Sequence, residues 1–377
     1  MSKIRYFDYI ASTPLCTEAK QAIMDTLDIF ANPSATHRLG QKSRVVIENA
    51  RNKTAALLHC KPDNLIFTSG ATEAINLGIQ SVCKKFDVQT IITSPLEHAA
   101  LLKTTEHIAQ IQQIQLLHVV HNKLGIIDLK NLDDLLAAHP KALVCLMHAN
   151  NEIGNLLPIK EVGKLCRQHQ ALFFCDMVQT IGKYPIYLDE LPIDFAVGSA
   201  HKFYGSKGCG LLYHKQNIDS LLLGGHQERN LRAGTENIAA IAAIAEALEM
   251  TLKTYPTEKQ RIEDLKFFCI KLLQEKIPEI CFVGNCQNGG LYNLINCYIP
   301  DIETDILVMQ LDMAGIAVSM GSACSSGTAR PSHVVQALGL PQKSIRISLG
   351  IPTQKEDIEY MVAQMEKLVK NRTKTKV

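Results

Sequence analysis

The sequence predicts an α/β protein: a large domain with a mainly parallel seven-stranded sheet flanked by helices, followed by a smaller α+β domain. Three observations predict it. Apolar runs of four to six residues recur at Leu65 to Thr68, Thr90 to Ser94, Ile114 to His118, Ala142 to Met147, Ala171 to Cys175, Phe195 to Ser199 and Gly210 to Tyr213. Segments of helical spacing separate most of these runs, and such alternation makes βαβ units. The chain has 377 residues, 46% of them hydrophobic, which is enough to bury more than one core.

Tyr6 to Pro14 reads as an extended arm, and Thr17 as the N-cap of a helix carrying Ile23, Met24 and Leu27 on one side. Asn32 to Arg38 has loop composition, and Arg44 to His59 returns to helical spacing. After the seventh run, Ile238 to Tyr255 is alanine-rich and helical, and Pro256 is expected to stop it. That proline sets the domain boundary: 15–256 for the large domain, 1–14 and 257–377 for the small one. The small domain is expected to hold strands near Leu291 to Ile299 and Ile345 to Leu349 and a last helix over Asp357 to Val369, before a basic, disordered tail from Lys370.

Composition narrows the function. Lys and Arg number 39 against 37 Asp and Glu, a net charge of +2 that favours neither nucleic acid nor an anionic membrane surface. The twelve cysteines include no C-x-x-C pair, which argues against a structural metal or a secreted disulfide framework. No unbroken apolar stretch is long enough for a membrane span, and Asp8 interrupts any signal-peptide core, so a cytoplasmic location is expected.

In a parallel sheet ligands sit beyond the carboxyl ends of the strands, so the residues that follow each run matter most. Thr68 to Glu73 is a glycine turn opening a helix, competent either as a phosphate cradle or as a plain N-cap. Glu97-His98 brings an imidazole, and His148 to Gly154 a polar turn. Asp176, after Leu172-Phe173-Phe174-Cys175, needs a cation, either a basic side chain or a protonated pyridine nitrogen, with Gln179 beside it. Ser199-Ala200-His201-Lys202 ends its run in a lysine that burial would make a neutral nucleophile. An anion site, an acid for a ring nitrogen and a strand-end lysine together are the requirements of pyridoxal 5'-phosphate.

These stretches, with Tyr204 to Gly208, Gly224 to Thr235, Gly321 to Ser325 and Ser344 to Gly350, resemble the cysteine desulfurases of the NifS/IscS-like group over nearly the whole chain. That group lies within the class V aminotransferases. The resemblance implies the aspartate aminotransferase-like fold and a homodimer. It implies Lys202 as the lysine that bonds the cofactor and later moves the Cα proton, Asp176 on the ring nitrogen, Gln179 on the ring hydroxyl and His98 stacked on the ring as an acid/base. Thr72, Ser199 and His201 would hold the phosphate, with Thr235 reaching it from the partner subunit, and Ala71 would also touch the cofactor. Asn150 and Arg346 would take the substrate carboxylate.

Cys324 lies in the small-residue loop Gly321 to Gly327 and is, by the same resemblance, the nucleophile that takes sulfur from L-cysteine as a persulfide, leaving L-alanine. An iron-sulfur scaffold or a tRNA-thiolation protein is the implied acceptor, with no direct contact to nucleic acid or membrane. Cys16, Ser206 and Arg330 depart from the group's usual residues, the last of them close to Cys324. The alternatives are a selenocysteine lyase or another enzyme of this fold and, in a different class, a non-catalytic sulfur carrier or scaffold.

Overall fold

The computed structural model describes residues 4–220, 222–321, 331–340 and 342–375, with side chains to residue 371. In chain order the first half contains β1 (Arg5–Tyr6), α1 (Thr17–Thr26), α2 (Arg38–Leu57), β2 (Leu65–Thr68), α3 (Ala71–Lys85), β3 (Thr90–Thr93), α4 (Ala99–Gln112), β4 (Gln115–His118), α5 (Leu129–Ala138), β5 (Ala142–Met147), α6 (Ile159–Gln168) and β6 (Leu172–Asp176). There follow β7 (Phe195–Ser199), β8 (Gly210–His214), the short α7 (Gln227–Asn230) and the long α8 (Ile238–Lys276). The remainder holds β9 (Cys281–Phe282), β10 (Leu294–Tyr298), α9 (Thr304–Met313), β11 (Ile316–Ala317), β12 (Ser319–Met320), α10 (His333–Ala337), β13 (Ile345–Ser348) and α11 (Lys355–Thr375).

Seven strands form one sheet in the order β2-β8-β7-β6-β5-β3-β4. β8 runs antiparallel to both neighbours and the other pairs are parallel. Side chains alternate faces along each strand, and the two faces feed two cores. Ala142, Val144 and Leu146 join Phe173, Cys175, Ala196 and Leu211 on one face, packed with Ala240 to Leu248 of α8. Leu143, Cys145, Phe174, Val197 and Leu212 point the other way and pack with Ile75 and Ile79 of α3. Burial on both faces is why these strands read as continuous apolar runs.

Several local expectations change. The N-cap of α1 is Cys16, whose Sγ accepts from the N–H of Ala19 at 3.4 Å; Thr17 is already helical. α2 begins at Arg38 rather than Arg44, capped by His37 Nδ1, which accepts from Gly40 N–H at 3.2 Å. Its first turn carries little apolar periodicity because Gly40 meets the Ala35 backbone directly, where a Cβ would lie 2.5 Å from the carbonyl oxygen. α11 continues as helix to Thr375, through most of the segment expected to be a disordered tail.

The largest correction is α8. Its 39 residues run straight through Pro256. Before the proline its buried face packs on the seven-stranded sheet; beyond it Ile262, Cys269, Ile270 and Leu273 enter a separate core with β10, β13, α9 and α11. Packing on both sides outweighs the proline penalty, and the hydroxyl of Thr254 donates to Met250 O at 3.0 Å beside the interrupted turn. Pro256→Ala restores an N–H that can reach the carbonyl of Leu252. It is expected to stabilise the protein by about 1–3 kcal/mol, seen as a raised Tm; a lowered Tm would mean the proline bend is required.

The second core surrounds a four-stranded antiparallel sheet, β12-β13-β10-β9. The N-terminal arm crosses to it: β1 pairs with β11, and Ile10 N–H donates to Ser348 Oγ at 3.0 Å. This arm therefore passes between the two sheets, where the candidate site lies.

Candidate active site

Cross-strand register gathers the site on one edge of the large sheet. Thr68 and Ser199 both pair with Gly210, so the end of β2 and the end of β7 flank the start of β8. Met147, Asp176 and Val197 are likewise level across β5, β6 and β7. Gly210 is required here, because a Cβ would lie 2.6 Å from the Gly70 backbone. That close approach brings the turn before α3 against β8.

Lys202 ends the short 3-10 turn after β7 and donates to the carbonyls of Ile10 and Ala11 at 2.9 and 2.8 Å. The N-terminal arm thus forms the shelf on which this amine rests. Asp176 is buried, and the one hydrogen bond to its carboxylate among the described residues comes from Val178 N–H at 2.9 Å. Burial raises its pKa above the ordinary carboxylate value, while that N–H and the charges of His98 and Lys202 oppose the rise. No ion pair reaches Asp176 among the described residues, so the basic side chain that would satisfy it is not supplied by them.

His98 caps α4, its Nδ1 accepting from Ala100 N–H at 3.1 Å, so the neutral ring carries its proton on Nε2. Burial lowers its pKa below 6.5, with Asp176 opposing and Lys202, His333 and Arg346 adding to the fall. The sign is fixed by that direction: His98 stays neutral as pH falls through 6.5. If it serves as the acid/base, the acid limb of kcat/KM that it controls has its midpoint below about 6.5, a prediction a pH-rate profile of wild type against His98→Gln checks. A His98-dependent midpoint above 6.5 would contradict it.

The remaining residues are placed as follows. His201 Nδ1 lies 3.3 Å from Ser12 Oγ, and burial with the charges of Lys202, Lys207 and Lys183 brings its pKa down to about 4. Ser199 is buried at the end of β7. Ala71 and Thr72 open α3, whose N-cap Gly70 has no side chain to bond the first amides; Thr72 is exposed. Arg232 clasps Glu73 at 2.7 and 3.2 Å, holding the loop that leads to the exposed Thr235 against this helix start.

Arg346 on β13 is buried and donates to Asn151 O and to Asp8 Oδ1, both at 3.0 Å, while its Nε has no partner among the described residues. The Asn150 side chain is committed to its own turn: it donates to Leu96 O at 2.8 Å and accepts from the N–H groups of Glu152 and Ile153. Gln179 donates to Ile10 O at 3.2 Å and accepts from Lys183 Nζ at 2.6 Å. Cys324 and Arg330 lie outside the described residues.

Sequence reasoning missed Asp8 as the partner of Arg346, the carbonyl shelf under Lys202, and Lys183. It also missed His333, whose Nε2 is 2.7 Å from Glu97 O. Each depends on contacts between distant parts of the chain, and only the Q-x-x-x-K spacing of Gln179 and Lys183 could have drawn notice.

Fold and homology define an α/β enzyme, and a strand-end lysine and a buried acid stand on one edge of its large sheet. The chain belongs to the aminotransferase class-V family, whose model matches residues 5–361. It is 38% identical over 380 residues to a cysteine desulfurase IscS of Dictyoglomus turgidum, covering 98% of this chain and 95% of that protein. Among solved structures it is similar to a NifS-like protein, with 30% identity, a TM-score of 0.89 and coverage of 97% and 99% of the two chains. It also resembles a protein described as SspA in complex with cysteine, at 30% identity, a TM-score of 0.79 and coverage of 92% and 98%. No described helix is long and apolar enough to cross a membrane.

Proposed function

We propose that the chain is a cytoplasmic pyridoxal 5'-phosphate-dependent cysteine desulfurase that moves the sulfur of L-cysteine onto Cys324 and releases L-alanine. The observation that carries this reading is Asp176, a buried acid that no cation pairs with among the described residues, set on the same strand-end edge as Lys202. A protonated pyridine nitrogen supplies the missing charge. The uncapped start of α3 supplies amides for a phosphate. The residues present therefore fit the cofactor.

In this reading Asp176 holds the ring nitrogen, Gln179 the ring oxygen, and His98 the ring face. Ala71, Thr72, Ser199 and His201 receive the phosphate, with Thr235 of a second subunit; His201 is suited to it as a neutral donor. The cofactor, when bound, supplies a sink for the electrons of the substrate Cα–H bond. Lys202 takes the Cα proton and His98 holds or returns a proton beside it. Arg346, its Nε unpartnered among the described residues, receives the substrate carboxylate, and Asn150 shapes the turn next to it. The Cys324 thiolate attacks the substrate sulfur, so an S–S bond forms as the Cβ–S bond breaks and the carbon left behind is protonated to alanine.

The division into 15–256 and 1–14 with 257–377 separates the cofactor residues from Arg346 and Cys324, and the core change along α8 supports it. Exposed Met24, Leu27, Phe30 and Leu39 on α1, α2 and their connection support a homodimer. A protein sulfur acceptor, such as an iron-sulfur scaffold, completes the cycle. The test is the visible absorbance of the protein with pyridoxal 5'-phosphate, with alanine measured after adding L-cysteine. Cofactor absorbance and stoichiometric alanine are expected; absence of either overturns the reading.

A further inference from the structure

Lys183 is 6% exposed, and no ion pair reaches it among the described residues. Burial, then the like charges of Lys202 and Arg346, depress its pKa far below the ordinary lysine value. A buried amine without an acid is costly, and a well-packed methionine would serve a core better. Its geometry shows what it does instead. Lys183 follows Gly182, whose φ of +74° and missing Cβ let the turn press on Phe203, next to Lys202 in the chain. Lys183 and Lys202 line one small cavity of about 30 Å³ with Tyr9, Tyr204, Tyr292 and Asn293.

The two lysines are linked through one side chain. Lys183 Nζ donates to Gln179 Oε1 at 2.6 Å, Gln179 Nε2 donates to Ile10 O at 3.2 Å, and Ile10 O also accepts from Lys202 at 2.9 Å. A carbonyl oxygen can only accept, so nitrogen must face Ile10; the amide oxygen is then turned to Lys183. Both contacts favour the same orientation, and the amide nitrogen has a second hydrogen besides the one given to Ile10 O.

We propose that Lys183 is a positioning residue that locks the amide of Gln179 with its nitrogen toward the Lys202 shelf, so that it donates to the ring oxygen of the cofactor. This rests on the function proposed above. Without Lys183 only the longer contact to Ile10 O, 3.2 Å and shared with Lys202, restrains the amide, which then turns over more readily and presents an oxygen to an oxygen. The effect is carried by the ring oxygen alone, which separates orientation from general structural damage.

The test measures dissociation constants of pyridoxal 5'-phosphate, and of its analogue lacking the ring 3-hydroxyl, for wild type, Lys183→Met, Gln179→Ala and the double variant. Lys183→Met is expected to weaken the natural cofactor about tenfold, the worth of one oriented hydrogen bond, and the analogue less than about twofold. It should add nothing in the Gln179→Ala background. Equal loss for both ligands, additive losses, or no loss would each overturn the proposal; if Lys183→Met does not fold, Lys183→Leu makes the same comparison. A wild type that fails to bind the natural cofactor would instead sink the proposed function.

Discussion

Lys202→Ala is expected to abolish the visible absorbance that the cofactor gives when bonded to the protein, and to cut alanine formation by roughly 10²–10⁴-fold or more, the range for loss of a positioned proton-transfer group. The amine is the only part of Lys202 that reaches the carbonyls of Ile10 and Ala11, and both carbonyls lie on an arm tied elsewhere by Ser348. Its removal should therefore leave the arm in place. Non-covalent retention of the phosphate at the start of α3 should persist, so the variant is expected to bind cofactor weakly without the wild-type spectrum. Alanine production at the wild-type rate by Lys202→Ala would remove the chain from this chemistry.

Cys324→Ala separates the two halves of the reaction. The residues assigned to the cofactor lie at the strand ends of the large sheet and in the loop to Thr235, so the cofactor absorbance should match wild type. Alanine and sulfide release from L-cysteine should fall at least about a thousandfold, the scale on which deletion of a nucleophile acts. The twelve cysteines make the comparison informative. Cys83, Cys145, Cys166, Cys175, Cys209, Cys269, Cys286 and Cys297 are buried, and burial pushes the thiols of Cys83, Cys166, Cys209 and Cys269 up to about 12. Such thiols are poor nucleophiles and should not substitute for Cys324.

The central sheet was legible because burial on both faces makes its inner strands near-continuous apolar runs, as in Ala142–Met147 and Phe195–Ser199. The strand-end residues were legible for the same reason: Asp176 and Lys202 stand out where such a run stops. Local propensity failed where packing overrides it. Pro256 is a helix breaker in isolation, yet two cores hold the helix through it. The two-residue strands Arg5–Tyr6, Ile316–Ala317 and Ser319–Met320 carry too little pattern to read. The shelf under Lys202 and the Asp8–Arg346 pair join residues 192 and 338 positions apart, and no spacing rule reaches that far.

In the proposed cycle sulfur moves to one thiol by way of one amine. The most direct measurement is mass spectrometry of the Cys324 peptide after a single turnover with L-cysteine, run beside Lys202→Ala. One added sulfur atom on Cys324 in the wild type, and none in the variant, is the predicted result. Sulfur on another cysteine, or on Cys324 in both proteins alike, would contradict it.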